Sequence, residues 1–254
     1  MKNQLIRKAV LLITFAGMVG ANALANILPI NGITTGAISD SYPNLFAPAG
    51  YTFAIWGLIY LALLFALGRL LFQKESEFSV VSSWFIVSNL ANTAWIFAWH
   101  YRMIALSLGL ILVAMVSVLR IVFHLVPKEN RLLGISARLP FEIYGGWLLV
   151  ATVANVTTLL VDAGFDGFGI SEVIWMIFIL AIGWLIITLT IIRVRSFAIG
   201  FVFLWAYGGI LSKHVSSGPG FASAYPSVIF TVAGLMVLMI MLLTIMWLRS
   251  KKVS

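Results

Sequence analysis

Eight apolar stretches, at residues 9–28, 51–70, 79–100, 103–122, 139–161, 173–192, 196–212 and 226–248, divide this chain and leave short polar joints between them. A helix needs about 20 predominantly apolar residues to cross the hydrocarbon core of a bilayer, so each stretch predicts one spanning helix. The composition agrees, with 62% hydrophobic and 9% charged residues, where a soluble domain carries about 25% charged. The fold class expected is therefore an all-α integral membrane protein of about eight transmembrane helices. The seventh stretch is the shortest, and if it failed to cross, the C-terminus would change sides.

The +8 net charge is a topology signal here and points to no nucleic acid, because the cations lie in the joints and loops retaining Lys and Arg stay cytoplasmic. Of the 16 basic residues, all but Arg102 and Lys213 fall on one side of an eight-span arrangement, while Asp40, Asp162, Asp166 and Glu172 fall with those two on the other. Both termini are thus expected in the cytoplasm, with the chain in the plasma membrane of a bacterium. The first segment has two readings. Lys2, Arg7 and Lys8 before an apolar run ending in Ala23-Leu24-Ala25 resemble a signal peptide, whereas the length of the run and a Gly17/Ala21/Ala25 stripe fit a retained, packed helix.

Residues 29–50 form a long joint with Tyr42, Phe46 and Pro48 but one charge, Asp40. Such a segment has apolar surface to bury and predicts a lid on the outer mouth of the bundle. The loop 213–225 predicts a second, more mobile wall. There is no P-loop, no His-Glu-x-x-His pair and no Gly-x-Ser-x-Gly elbow. With no Cys and with His100, His124 and His214 scattered, neither a metal site nor an enzyme is expected. Glu142, the one acid within a span, stands four residues after Arg138 and predicts an interfacial ion pair. The sequon-like Asn155-Val156-Thr157 lies inside a span and is discarded.

Polar and aromatic residues recur at helical spacing in three spans. Thr52, Trp56 and Tyr60 share one face; Ser88, Asn92, Trp95 and Trp99 share another; Tyr144, Trp147, Ala151 and Asn155 make a third. Asn22 and Asn26 add a smaller pair. Amides in hydrocarbon seek partners, so these faces point into the bundle. Two readings stand side by side: interhelical packing, or convergent walls of a pocket for a flat, mostly apolar ligand. The depth of Trp56, Trp95, Trp147, Trp184 and Trp205 within their spans counts against packing alone, since Trp otherwise prefers the interface, and these residues by themselves leave the two readings level.

These residues resemble the tryptophan-rich sensory protein and translocator protein family, five-span proteins that hold porphyrins, sterol-like and drug-like molecules in an intramembrane pocket. Ala47-Pro48 followed by Trp56-x-x-x-Tyr60 is similar to the family's second-span motif, Asn92-x-x-Trp95 to its third-span motif, and Tyr144, Trp147, Ala151 and Asn155 to its fifth-span motif. The chain departs from the pattern at Ala47, Thr52 and Ile143. The resemblance covers about residues 9–163 and implies a five-helix translocator-like bundle over 1–163, with three additional transmembrane helices over 164–254.

It further implies a binding site of Trp56, Tyr60, Asn92, Trp95, Tyr144, Trp147, Ala151 and Asn155, a porphyrin-like or sterol-like ligand without a resident cofactor, and a sensor or carrier role. Arg102 at the mouth would meet a ligand carboxylate. The alternative is a secondary transporter using all eight helices, with His214, Lys213 and Glu142 as polar elements. The expected partners are the lipid bilayer and a small hydrophobic ligand, with a homodimer left open.

Overall fold

The computed structural model describes residues 2–73, 75–126, 132–218 and 220–251. Among them the helices are α1 (Lys2–Ile27), α2 (Thr35–Asp40), α3 (Ile55–Leu70), α4 (Glu75–His100), α5 (Ile104–Leu125), α6 (Leu132–Asp162), α7 (Glu172–Val194), α8 (Phe197–Val215) and α9 (Pro226–Ser250). Eight of these segments are long and apolar enough to cross a membrane, and they coincide with the eight stretches read from the sequence. The chain is an all-α integral membrane protein. Of the basic residues used for orientation, Lys74, Lys128, Arg131 and Lys252 lie outside the described residues, as does Pro219 of the second loop.

Several helices run past their apolar cores, α1 beginning at Lys2 and α4 at Glu75. Hydropathy marks only the part that must avoid water, and the hydrogen-bonded ladder continues beyond it until a cap or turn intervenes. Between α7 and α8 that turn is a single left-handed residue, Arg195 at φ 53°, followed by Ser196, whose hydroxyl accepts the Ile199 N–H at 3.2 Å. Pro226 opens α9, where its missing N–H costs nothing.

Helix α6 is the hub, packing on α3, α5, α7 and α8, while α4 lies between α1 and α5 and α9 closes against α7 and α8. Close approach at the hub depends on Gly146. A Cβ there would stand 3.3 Å from the Ile199 backbone Cα and 3.3 Å from the Val202 side chain of α8. Lipid tails give no hydrophobic drive between helices, so such backbone proximity is what van der Waals packing needs.

On α1 the buried residues Leu11, Phe15, Met18, Asn22 and Ala25 repeat at three and four and face α4. The stripe expected from Gly17 is displaced by this one. Gly17 is exposed with nothing near a Cβ position, because the helix presents its larger residues to the bundle. Asn26 is exposed as well, its amide donating to the Asn22 carbonyl at 3.0 Å. Arg138 and Glu142 form the expected ion pair at 2.8 Å, and both are buried by neighbouring helices, at 5% and 4% exposure.

Candidate functional site

The segment 29–50 is ordered by bonds to two helices. Thr34 caps α2, its hydroxyl accepting the Ala37 N–H at 3.3 Å. His100, at the end of α4, grips the start of the segment. Its Nδ1 donates to the Ile30 carbonyl at 2.9 Å, which leaves Nε2 to accept the Thr35 hydroxyl at 3.1 Å. Trp99 donates to the Thr35 carbonyl at 3.2 Å.

The other end is held by α8. His214 Nε2 donates to the Leu45 carbonyl at 2.9 Å, the Ala49 N–H donates to the Gly209 carbonyl at 3.0 Å, and Lys213 pairs with Asp40 at 2.5 Å. Two histidines that look scattered in the sequence thus share one end of the bundle and one task. Tyr42, Leu45, Phe46 and Ala47 are buried beneath the segment, so it is a lid with a packed underside. The loop after α8 is fixed too. Its Phe221 and Ser223 N–H groups donate at 2.9 Å to the Lys213 and His214 carbonyls, and Phe221 and Tyr225 pack on the His214 ring at 4.7 and 5.9 Å.

Beneath the lid lies a cluster of rings. Trp56 of α3 stands 6.1 Å from Trp95 of α4, 6.1 Å from Tyr144 and 6.1 Å from Trp147 of α6. Tyr60 stacks on Trp56 at 5.6 Å, and Trp99 on Trp95 at 5.9 Å. Edge-to-face Phe53, 6.1 Å from Trp147, comes from the 3-10 turn Gly50–Ala54 that leads into α3. A cavity of about 40 Å³ remains among Trp56, Trp95, Trp99, Trp147 and Phe53, roofed by Phe46 and Pro48. Ala151 and Ala154 of α6 and Ala206 of α8 leave the room by being small.

Several polar groups pair within this architecture. Asn155 Oδ1 accepts Trp95 Nε1–H at 3.3 Å and the Ser107 hydroxyl at 3.0 Å. Asn92 Oδ1 accepts the Asn22 amide at 2.7 Å, and the Ser88 hydroxyl reaches the Tyr144 oxygen at 3.4 Å. Among the described residues, two donors of this cluster lack a partner, the Trp147 Nε1–H and the Tyr60 hydroxyl, while the Asn92 amide lies by the Tyr144 hydroxyl. A buried donor left unpaired costs about 1–3 kcal/mol.

Five of the eight site residues read from the sequence line the cavity: Trp56, Trp95, Trp147, Ala151 and Asn155. Tyr60, Asn92 and Tyr144 do not; they form the layer behind it. Trp184 and Trp205 belong elsewhere. Trp184 is half-buried on α7, and Trp205 is 41% exposed and donates to the Thr52 carbonyl at 2.9 Å. Arg102 does not reach the cavity either, because its guanidinium lies over the Tyr42 ring, 5.5 Å from the centroid. The wall that the sequence did not disclose is α8, through Ala206 and Ile210. A run of small residues, Ala206-x-Gly208-Gly209, was the signal available.

The comparisons with known proteins bear on this architecture. A family model described as TSPO-like protein matches residues 8–247, running through α7, α8 and α9 as well as the stretch of the five-span resemblance. Neither a curated protein nor a solved structure matches the chain. With the match covering nearly the whole bundle, including the helix that completes the aromatic cavity, the chain belongs to the family of TSPO-like proteins.

Proposed function

We propose that this protein is a membrane sensor or carrier that binds a planar, mostly apolar molecule in the aromatic cavity beneath its lid. The observation that carries the reading is the cavity wall itself: aromatic rings from α3, α4, α6 and the 3-10 turn, kept apart by alanines, around an indole N–H without a partner. A ligand seated among these rings would supply the partner that the indole N–H lacks.

The cavity of about 40 Å³ has room for a water or two, whereas ligand sites run to roughly 300–1,000 Å³. Binding therefore requires the lid to lift, which breaks the hydrogen bonds and the ion pair that hold it and uncovers its buried Ile38, Tyr42, Leu45 and Phe46. Closure over the ligand would shield it from solvent. The porphyrin-like and sterol-like molecules implied by the resemblance are the first classes to try. The transporter reading draws less support, because Lys213 and His214 hold the lid while Glu142 is engaged with Arg138. They do not line one path.

Saturable quenching of intrinsic Trp fluorescence by a planar chromophore tests the reading, with the detergent-solubilised protein titrated against protoporphyrin dimethyl ester. A hyperbolic curve approaching one equivalent supports it, and a linear, non-saturating decrease contradicts it.

The lid end faces the exterior in this proposal, with both termini in the cytoplasm of a bacterial cell, on the strength of the basic-residue asymmetry. Single cysteines placed into this Cys-free chain provide the check. An impermeant thiol reagent added to intact cells is expected to label Ser41→Cys and Ser217→Cys, both exposed, and to spare Ser76→Cys. Labelling of Ser76→Cys would reverse the orientation.

A further inference from the structure

Two cavities meet at a single side chain. A vestibule of about 290 Å³ opens beside the lid, lined among others by Asn44, Phe165, Asp166, Glu172 and Trp175. It lies one turn along α6 from the aromatic cavity, for Ala151, Ala154 and Asn155 line the inner space and Thr157, Leu160 and Val161 the outer one. Phe46 is the residue that both linings share. It is 2% exposed and stands edge-on to Tyr207 at 6.5 Å.

The backbone around this ring is pinned. Asn44 Oδ1 accepts the Phe46 N–H at 3.0 Å and the Ala47 N–H at 2.9 Å, while its amide donates to the Tyr42 carbonyl at 2.8 Å. These bonds lie within the lid and keep the turn's shape as it lifts, so passage between the two spaces depends on the Phe46 ring leaving its buried seat against Tyr207 by turning about two side-chain dihedrals.

The charges along this route have one sign. Asp166 and Glu172, both exposed, are the charged residues of the vestibule lining, and the aromatic cavity lining has none. The two basic residues of the lid end are engaged elsewhere, Lys213 with Asp40 and Arg102 over Tyr42. An anion on this path meets two carboxylates and then an uncharged interior with no cation to pair with, which is a costly place to bury it. A cation meets attraction at the mouth and then a lining that includes Trp56, Trp95 and Trp147, whose π-systems attract positive charge.

We propose that Phe46 gates the passage from an acidic vestibule to the aromatic cavity, and that the site takes neutral or positively charged planar aromatic molecules and rejects carboxylate-bearing ones. This rests on the binding reading given above and narrows it, setting free-acid tetrapyrroles apart from their neutral esters and amines.

Three probes with the same three-ring plane and different charge separate the claims: 9-aminoacridine, anthracene and 9-anthracenecarboxylate, followed by energy transfer from Trp in stopped flow. The wild type is expected to bind the amine and the hydrocarbon saturably and the carboxylate at least tenfold more weakly. Asp166→Asn combined with Glu172→Gln should cut the association rate of the amine about tenfold, the low end of electrostatic steering, and leave that of anthracene unchanged.

Phe46→Ala should speed association of anthracene about tenfold, with Phe46→Leu intermediate. The Leu variant keeps an apolar wall and carries the test by itself if Phe46→Ala fails to fold. Equal affinity for the carboxylate and the amine overturns the charge selection, and an association rate indifferent to Phe46 overturns the gate, both leaving the binding reading intact. Failure of all three probes to saturate the wild type overturns the binding reading along with this one.

Discussion

Gly209→Ala is expected to lower stability by about 1–3 kcal/mol, the usual cost of forcing a carbon into a packed contact. A Cβ at Gly209 would collide with the Oγ1, Cγ2 and Cβ atoms of Thr52, and neither partner sits on a side chain long enough to swing away. Thr52 is 0% exposed and belongs to the 3-10 turn that launches α3, and the backbones are tied across the same contact. Ala49 donates to the Gly209 carbonyl at 3.0 Å and Trp205 to the Thr52 carbonyl at 2.9 Å. Displacing α8 here loosens the far end of the lid as well. Because the Thr52 hydroxyl has no hydrogen-bond partner, Thr52→Gly makes room without orphaning a donor. Melting of the single and double variants in detergent checks this: the double variant should recover most of what Gly209→Ala loses. A Gly209→Ala protein that melts like the parent, or two effects that simply add, would contradict the packing described.

The second large effect concerns binding. Ala151 contributes space to the cavity, so Ala151→Leu is expected to fill it and weaken a planar ligand tenfold or more, about 1.4 kcal/mol. Its neighbours in the cavity lining leave the Leu side chain room to sit, and the fold should survive. Trp147→Ala removes a ring that is 2% exposed and meets both Trp56 and Phe53 edge-on at 6.1 Å, together with the unpartnered indole N–H. A comparable loss of affinity is expected, with stability lowered by the void left behind. The chain keeps eight of its nine Trp residues as fluorescence reporters in that variant. Titrations against protoporphyrin dimethyl ester, paired with melting curves, separate the two effects. Folded variants with parental affinity would show that the ring cluster serves packing alone.

The helical architecture could be read from hydropathy because each span must satisfy its backbone internally and shield it from lipid with about 20 apolar residues. The three ring-bearing faces were legible for a related reason, as a polar residue at helical spacing in such a background marks the inward side. Three things were not. Hydropathy is blind to which helix lies beside which, so α8 escaped notice as a wall although Gly209 and Ala206 announce a close approach. Spacing puts Tyr60, Asn92 and Tyr144 on the same faces as the cavity residues but says nothing of depth across the bundle, and they fall behind the cavity. Long polar side chains choose among nearby partners only in three dimensions, which is why Arg102 lies over Tyr42 while His100 and His214 secure a lid.

Mass spectrometry of small molecules released from purified protein, wild type beside Ala151→Leu, decides whether the space among Trp56, Trp95 and Trp147 is a ligand site. A planar aromatic or polycyclic compound is expected to leave with the wild type and to be absent from a folded Ala151→Leu protein. Identical sets of bulk lipid from both, with no such compound in either, would contradict it.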